Sequence, residues 1–133
     1  MSMKRAVREN PDSYSKNNVS GRVKIVEYNG VKLKGSWELI TAQWLDSINV
    51  KWKAEVNPQE YIWNNSTHLY FPDFYLTDYD VYIEVKGYKR DRDDAKWTSF
   101  DGTLTIIDTK IIHKLGQFNN IEEFINKQTY SGL

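Results

Sequence analysis

The chain has 133 residues, the length of one domain, and no cysteine, so disulfides and thiolate metal sites are excluded. Lys plus Arg and Asp plus Glu number 18 each, for a net charge of zero, which argues against a uniformly basic protein that coats DNA. No stretch is long and apolar enough to span a membrane and no signal peptide is visible, so an intracellular, cytoplasmic protein without a membrane partner is expected.

The charge is divided along the chain. Residues 1–34 hold eight Lys/Arg against three Asp/Glu, and residues 35–133 hold ten against fifteen. A basic N-terminal arm with a short hairpin, residues 1–34, thus precedes a domain rich in carboxylates, residues 35–133. Lys4, Arg5, Arg8, Lys16, Arg22 and Lys24 are the arm's candidate contacts to nucleic-acid phosphate. A solvated, poorly ordered terminus is the plain alternative.

Residues 1–20 are polar and predict little regular structure. In GRVKIVEYNGVKLKG, residues 21–35, Val23, Ile25, Tyr28, Val31 and Leu33 are spaced for short strands, and Asn29-Gly30 is a hairpin signal. SWELITAQWLDSI, residues 36–48, predicts a helix capped by Ser36. Trp37, Ile40, Thr41, Trp44, Leu45 and Ile48 form its inward stripe, and Glu38 sits in the first turn beside that stripe. VKWKAEV, residues 50–56, alternates as a half-buried strand, with Val50, Trp52 and Ala54 facing one way. A hairpin is expected next, from EYIW (60–63) through an NNST turn to HLYFPDFYL (68–76). TDYD then turns the chain into VYIEVKG (81–87), the strongest strand signal. YKRDRDDAKWTSF (88–100) predicts a lightly packed helix, and GTLTIIDTKII (102–112) a buried strand. NNIEEFINKQ (119–128) predicts an amphipathic helix capped by Asn119 or Asn120, with Ile121, Phe124 and Ile125 inward.

Three charged side chains, Asp73, Glu84 and Lys86, interrupt the apolar runs between Tyr70 and Gly87. Alternation in VYIEVKG puts Val81, Ile83 and Val85 on one face and Tyr82, Glu84 and Lys86 on the other. The turn at Asp78 folds the preceding strand back, so Asp73 can lie near Glu84. Two carboxylates at close range repel each other unless a cation lies between them. Mg²⁺ suits that place, because it takes oxygen ligands at about 2.0–2.1 Å and keeps several waters and phosphate oxygens. A neighbouring lysine can orient or help deprotonate an attacking water, or offset charge on a phosphate. The set suits phosphodiester hydrolysis. An isolated E-x-K on a strand is more often an ion pair on a solvated face, but PD, ten intervening residues and then EVKG at a strand end is more specific.

This stretch resembles the PD-(D/E)XK nuclease superfamily: PDF at Pro72-Asp73-Phe74 and EVK at Glu84-Val85-Lys86 match its signature. The order of helix with Glu38, VKWKAE segment, hairpin, PDF, turn and EVKG is similar to phage endonuclease I-type Holliday junction resolvases over about residues 35–97. The resemblance implies an α/β, restriction-endonuclease-like core, a mixed central sheet flanked by helices. It also implies that Asp73, Glu84 and the Val85 main-chain carbonyl bind Mg²⁺, with Mn²⁺ able to substitute. Lys86 would position or activate the water, and Glu38 would complete the acidic site. A carboxylate favoured by a helix N-terminus is the alternative for Glu38. The resemblance implies a homodimer that cuts branched DNA, acting in the cytoplasm and phage-encoded in a bacterial host.

Two rivals stand beside this reading. One keeps the chemistry and makes the substrate a duplex sequence, as in a homing, restriction or nicking enzyme. The other is a DNA-binding or assembly protein that keeps only the fold. Lys89 and Arg90 follow EVKG directly and could hold DNA, but they alternate with Asp91, Asp93 and Asp94, so a salt-bridged helix start fits equally. His68 reads as a surface strand residue and His113 as the end of a buried strand. Tyr82, Trp37 and Trp44 read as packing residues. No histidine spacing supports zinc.

Overall fold

The structure is a computed structural model that describes residues 24–130, with side chains described through Asn126. Lys4, Arg5, Arg8, Lys16 and Arg22 lie outside the described residues, and Lys24 is exposed at their start. The architecture is mixed α/β, with small sheets and short helices. The chain divides into two compact units between Leu39 and Ile40.

In the first unit, β1 (Ile25–Tyr28) pairs antiparallel with β2 (Val31–Lys34). Asn29 and Gly30 both have positive φ, 51° and 81°, as a type I′ hairpin turn requires. Helix α1 (Ser36–Ser47) follows Gly35, whose φ of 89° a side chain would resist. Ser36 is therefore the first helical residue and not the cap. Glu38 ties the first turn of the helix back to the preceding strand: its carboxylate accepts the Lys34 N–H at 2.8 Å.

Thr41, Trp44 and Leu45 of the expected stripe of α1 are buried, but Glu38 and Ala42 join it and Ile40, 41% exposed, leaves it. Positions 38, 41, 42 and 45 are themselves an i, i+3, i+4, i+7 series. A glutamate can occupy that series because its carboxylate is satisfied by a backbone N–H.

In the second unit, residues 50–56 keep the predicted in-and-out alternation of burial but form no ladder strand. Lys53 alone pairs, exchanging two 2.9 Å backbone bonds with Tyr75.

The hairpin of β3 (Gln59–Trp63) and β4 (Ser66–Tyr70) turns on Asn64-Asn65, both at positive φ. The predicted strand 68–76 breaks after Tyr70. Pro72 lacks the N–H that a ladder needs, and the chain leaves one sheet and enters another there. Strand β5 (Phe74–Leu76) pairs antiparallel with β6 (Val81–Val85), Phe74 opposite Ile83. The turn between them closes on the Leu76 carbonyl, which accepts from the Tyr79 and Asp80 N–H groups at 3.2 and 2.9 Å.

Helix α2 (Asp91–Thr98) connects β6 to β7 (Thr103–Ile107), which runs parallel to it. Strand β8 (Thr129–Tyr130) completes the order β5-β6-β7-β8. Helix α2 is not lightly packed. Trp97 joins Tyr61, Tyr70 and Leu104 in one buried cluster, with Tyr82, Ala95 and Phe100 against it.

Strand β7 stops at Ile107, short of the expected 112. The Asp108 carboxylate accepts from the Lys110 and Ile111 N–H groups and starts the short helix α3 (Thr109–Ile112). His113 consequently ends a helix and is exposed, not a buried strand end. Helix α4 (Ile121–Gln128) starts at Asn120, which accepts the Glu123 N–H at 2.8 Å. Its Phe124 meets Trp44 and Phe118 edge-on, at 4.9 and 5.5 Å between ring centroids. No described helix is long and apolar enough to cross a membrane.

Phe124 is fully buried between two rings. Phe124→Ala should cost about 3–5 kcal/mol of stability, read from urea unfolding; a loss below about 1 kcal/mol would mean that α4 is not part of this core.

Candidate functional site

The site lies at the start of β5. The Asp73 N–H bonds the Ile83 carbonyl at 3.0 Å and extends the β5–β6 ladder by one residue. Backbone groups alternate sides along β6. Those of Ile83 face β5, and the Lys86 N–H turns to the other side, bonding Ile107 of β7 at 2.9 Å. Val85 therefore faces the β5 side again. There the Asp73 side chain takes the place of a strand: its Oδ2 accepts the Val85 N–H at 2.8 Å. The same alternation puts the Val85 carbonyl on the edge that holds the Asp73 carboxylate.

Glu84 is buried, 6% exposed, and its Oε1 accepts the Tyr70 hydroxyl at 2.9 Å. Burial first, and then the Asp73 charge, push the Glu84 carboxyl up to about 8. The Lys96 and Lys86 ammoniums and the Tyr70 hydroxyl pull it back. Burial, helped by the Glu84 and Asp73 charges, also pushes the Tyr70 phenol far up, so Tyr70 stays a donor.

Lys86 points to a third carboxylate. Its Nζ lies 3.5 Å from Asp93 Oδ2, and Lys96 Nζ lies 3.3 Å from Asp93 Oδ1. Asp93 is fully buried. Burial would raise its carboxyl, but the Arg90 N–H at 2.7 Å and the two ammoniums overcome that and hold it below the usual range. Lys96 Nζ also stands 5.4 Å from the centre of the Tyr70 ring, within cation–π reach.

The structure thus gathers Asp73, Glu84, Val85 and Lys86, and adds Tyr70, Asp93 and Lys96, which sequence reasoning did not single out. A signal for the last two existed. Positions 93, 96, 97 and 100 have helical spacing, and Trp97 and Phe100 mark the face they share. Seven charges in the eight residues 89–96 make the segment read as a lightly packed, salt-bridged helix.

Glu38 belongs to the first unit, where it is buried and bonded to the Lys34 N–H. Lys89 pairs with Asp94 at 2.7 Å, and both are 55% exposed. The Arg90 N–H serves Asp93, and the Arg92 guanidinium donates to the Tyr61 hydroxyl at 2.9 and 3.2 Å. Tyr82 packs between Tyr75 and Phe100, and His68 against Tyr61.

Among the described residues, no three His, Cys, Asp or Glu side chains form a metal-binding cluster. The oxygens at hand are the Asp73 and Glu84 carboxylates and the Val85 carbonyl. These hard donors fit a cation that keeps several waters, such as Mg²⁺ or Mn²⁺. The upward push on Glu84 comes in part from Asp73, and a divalent cation beside both would relieve it. No family model, curated protein or solved structure shows significant similarity to the chain.

The raised Glu84 carboxyl has a measurable consequence. Between its ordinary 4.5 and about 8, the folded chain binds a proton that the unfolded chain does not. This contribution to stability therefore falls as pH rises through that window. The metal-free thermal midpoint should drop from about pH 5 to about pH 9 more in the wild type than in Glu84→Gln, and Mg²⁺ should raise it more at high pH, where no proton is displaced. Parallel pH profiles for the two proteins would contradict the assignment.

Proposed function

We propose that the protein is a Mg²⁺-dependent DNA endonuclease of the PD-(D/E)XK type with a restriction-endonuclease-like core. One observation carries the reading: Asp73 caps the exposed end of β6 through Val85, next to the buried Glu84 and the partly buried Lys86. Asp73, Glu84 and the Val85 carbonyl would hold the cation, which when bound supplies positive charge at the scissile phosphate and lowers the pKa of a coordinated water. The protein's own part is positioning. Val85 fixes the Asp73 carboxylate, Tyr70 fixes that of Glu84, and Asp93 draws the Lys86 ammonium to one side of both. From there the Lys86 ammonium orients the attacking water and offsets the negative charge that develops as the water loses its proton.

Branched DNA, above all a four-way junction, is the proposed substrate, cut by a homodimer with two such sites. That part rests on the order of sequence motifs. Helix with Glu38, hairpin, PDF and EVKG follow the endonuclease I-type pattern.

The test is Mg²⁺-dependent cleavage of an immobile four-way junction and of linear duplexes with the same arm sequences. Cuts paired across the branch are expected from the wild type, with at least about a hundredfold lower rate in Glu84→Gln and Lys86→Met. Cutting of a duplex at one sequence would replace the substrate with that of a homing, restriction or nicking enzyme. Cleavage that survives both substitutions, or no cleavage of any DNA, would overturn the proposal.

A further inference from the structure

The cluster around Asp93 is larger than water activation by one lysine requires. Lys86 comes from the end of β6 and Lys96 from α2, and one oxygen of Asp93 faces each. Asp93 is held in turn by the Arg90 N–H at 2.7 Å, so the carboxylate is tied to the start of α2. The two lysine side chains remain 20% and 18% exposed. Stability alone is a poor reason for such a triad, since buried ion groups are often no better than apolar side chains of the same volume.

We propose that Lys96 is a second cation for the substrate phosphate, and that Asp93 is the positioning residue that spaces it beside Lys86. The inference rests on the endonuclease reading and adds a residue to it. The charge balance supports it. Asp73, Glu84 and Asp93 against Lys86 and Lys96 leave one negative charge in excess when all are ionised. A divalent cation turns that excess into one positive charge, the complement of one phosphodiester. Without Lys96 the loaded site would be neutral and the phosphate charge unmatched.

Distance supports it as well. Lys96 stands over the ring of Tyr70, and the hydroxyl of that ring bonds Glu84. The ammonium has three donors, and the 3.3 Å pairing with Asp93 leaves donors for an oxygen arriving from solvent. The roles then divide: Lys86, two residues from Glu84 on the same strand, serves the water, and Lys96 serves a non-bridging phosphate oxygen.

The test uses the full chain with the four-way junction, comparing wild type, Lys96→Met, Lys96→Arg and Asp93→Asn. Three quantities are read: single-turnover cleavage in Mg²⁺, junction affinity in Ca²⁺ across a salt series, and the thermal midpoint. Lys96→Met should cut at least about tenfold more slowly, and its plot of log affinity against log salt should be shallower by about one unit. Lys96→Arg should recover most of the rate and the slope. Asp93→Asn should slow cleavage like Lys96→Met while keeping the salt slope, since both ammoniums remain.

Wild-type rate and slope in Lys96→Met would overturn the inference and leave the endonuclease reading standing, provided Glu84→Gln is inactive. A lowered thermal midpoint in Lys96→Met that accounts for the lost rate, with no recovery in Lys96→Arg, would also overturn it and assign Lys96 to the fold. A wild type that neither binds nor cuts DNA would overturn both.

Discussion

The hydrogen bond from the Val85 N–H to Asp73 Oδ2 is the contact on which the site depends. It exists because Pro72 ends one strand path and Asp73 makes the last backbone pair with β6, at Ile83. A side chain then continues where the ladder stops. That substitution puts a carboxylate at a sheet edge, turns the Val85 carbonyl toward the same edge, and sets both beside the buried Glu84. A strand running on past Asp73 would have taken the Val85 N–H with a backbone carbonyl and closed the edge.

The electrostatics follow from that placement. Three carboxylates share one small region of the second unit and are treated differently. Asp93 has a backbone N–H and two ammoniums and is held ionised, whereas Glu84 has burial and a neighbouring carboxylate against it and is pushed up to about 8. The aromatic cluster of Tyr61, Tyr70 and Trp97 makes the difference possible, because it excludes water on one side. It also fixes Tyr70, whose hydroxyl is the direct hydrogen bond to Glu84. Packing and chemistry therefore share residues here: Tyr70 is both core and site, and α2 brings Trp97 inward on the same face as Asp93 and Lys96.

Much of this was legible in local signals. Asn29-Gly30 marked its turn, Asn120 its cap, and the alternation in VYIEVKG placed Glu84 and Lys86 together. These features depend on residues a few positions apart. The features that sequence missed depend on partners far away in the chain. In α1 the exchange of Ile40 for Glu38 in the buried stripe is not legible, because a satisfied Glu38 fits that stripe as well as Ile40 does. Strand β7 is shorter than its apolar run predicts because Asp108, a single capping side chain, outweighs Ile111 and Ile112. The burial of Asp93 was invisible because its neutralising lysines come from two different elements.

The proposed function stands on a divalent-cation site formed by Asp73 and Glu84. Titration of the metal-free protein with Mn²⁺, with free Mn²⁺ followed by electron paramagnetic resonance, tests it without assuming any substrate. The expected result is saturable binding that strengthens as pH rises through about 8, releases a proton below that pH, and is lost in both Asp73→Asn and Glu84→Gln. No saturable binding, or binding that both variants retain unchanged, would contradict it.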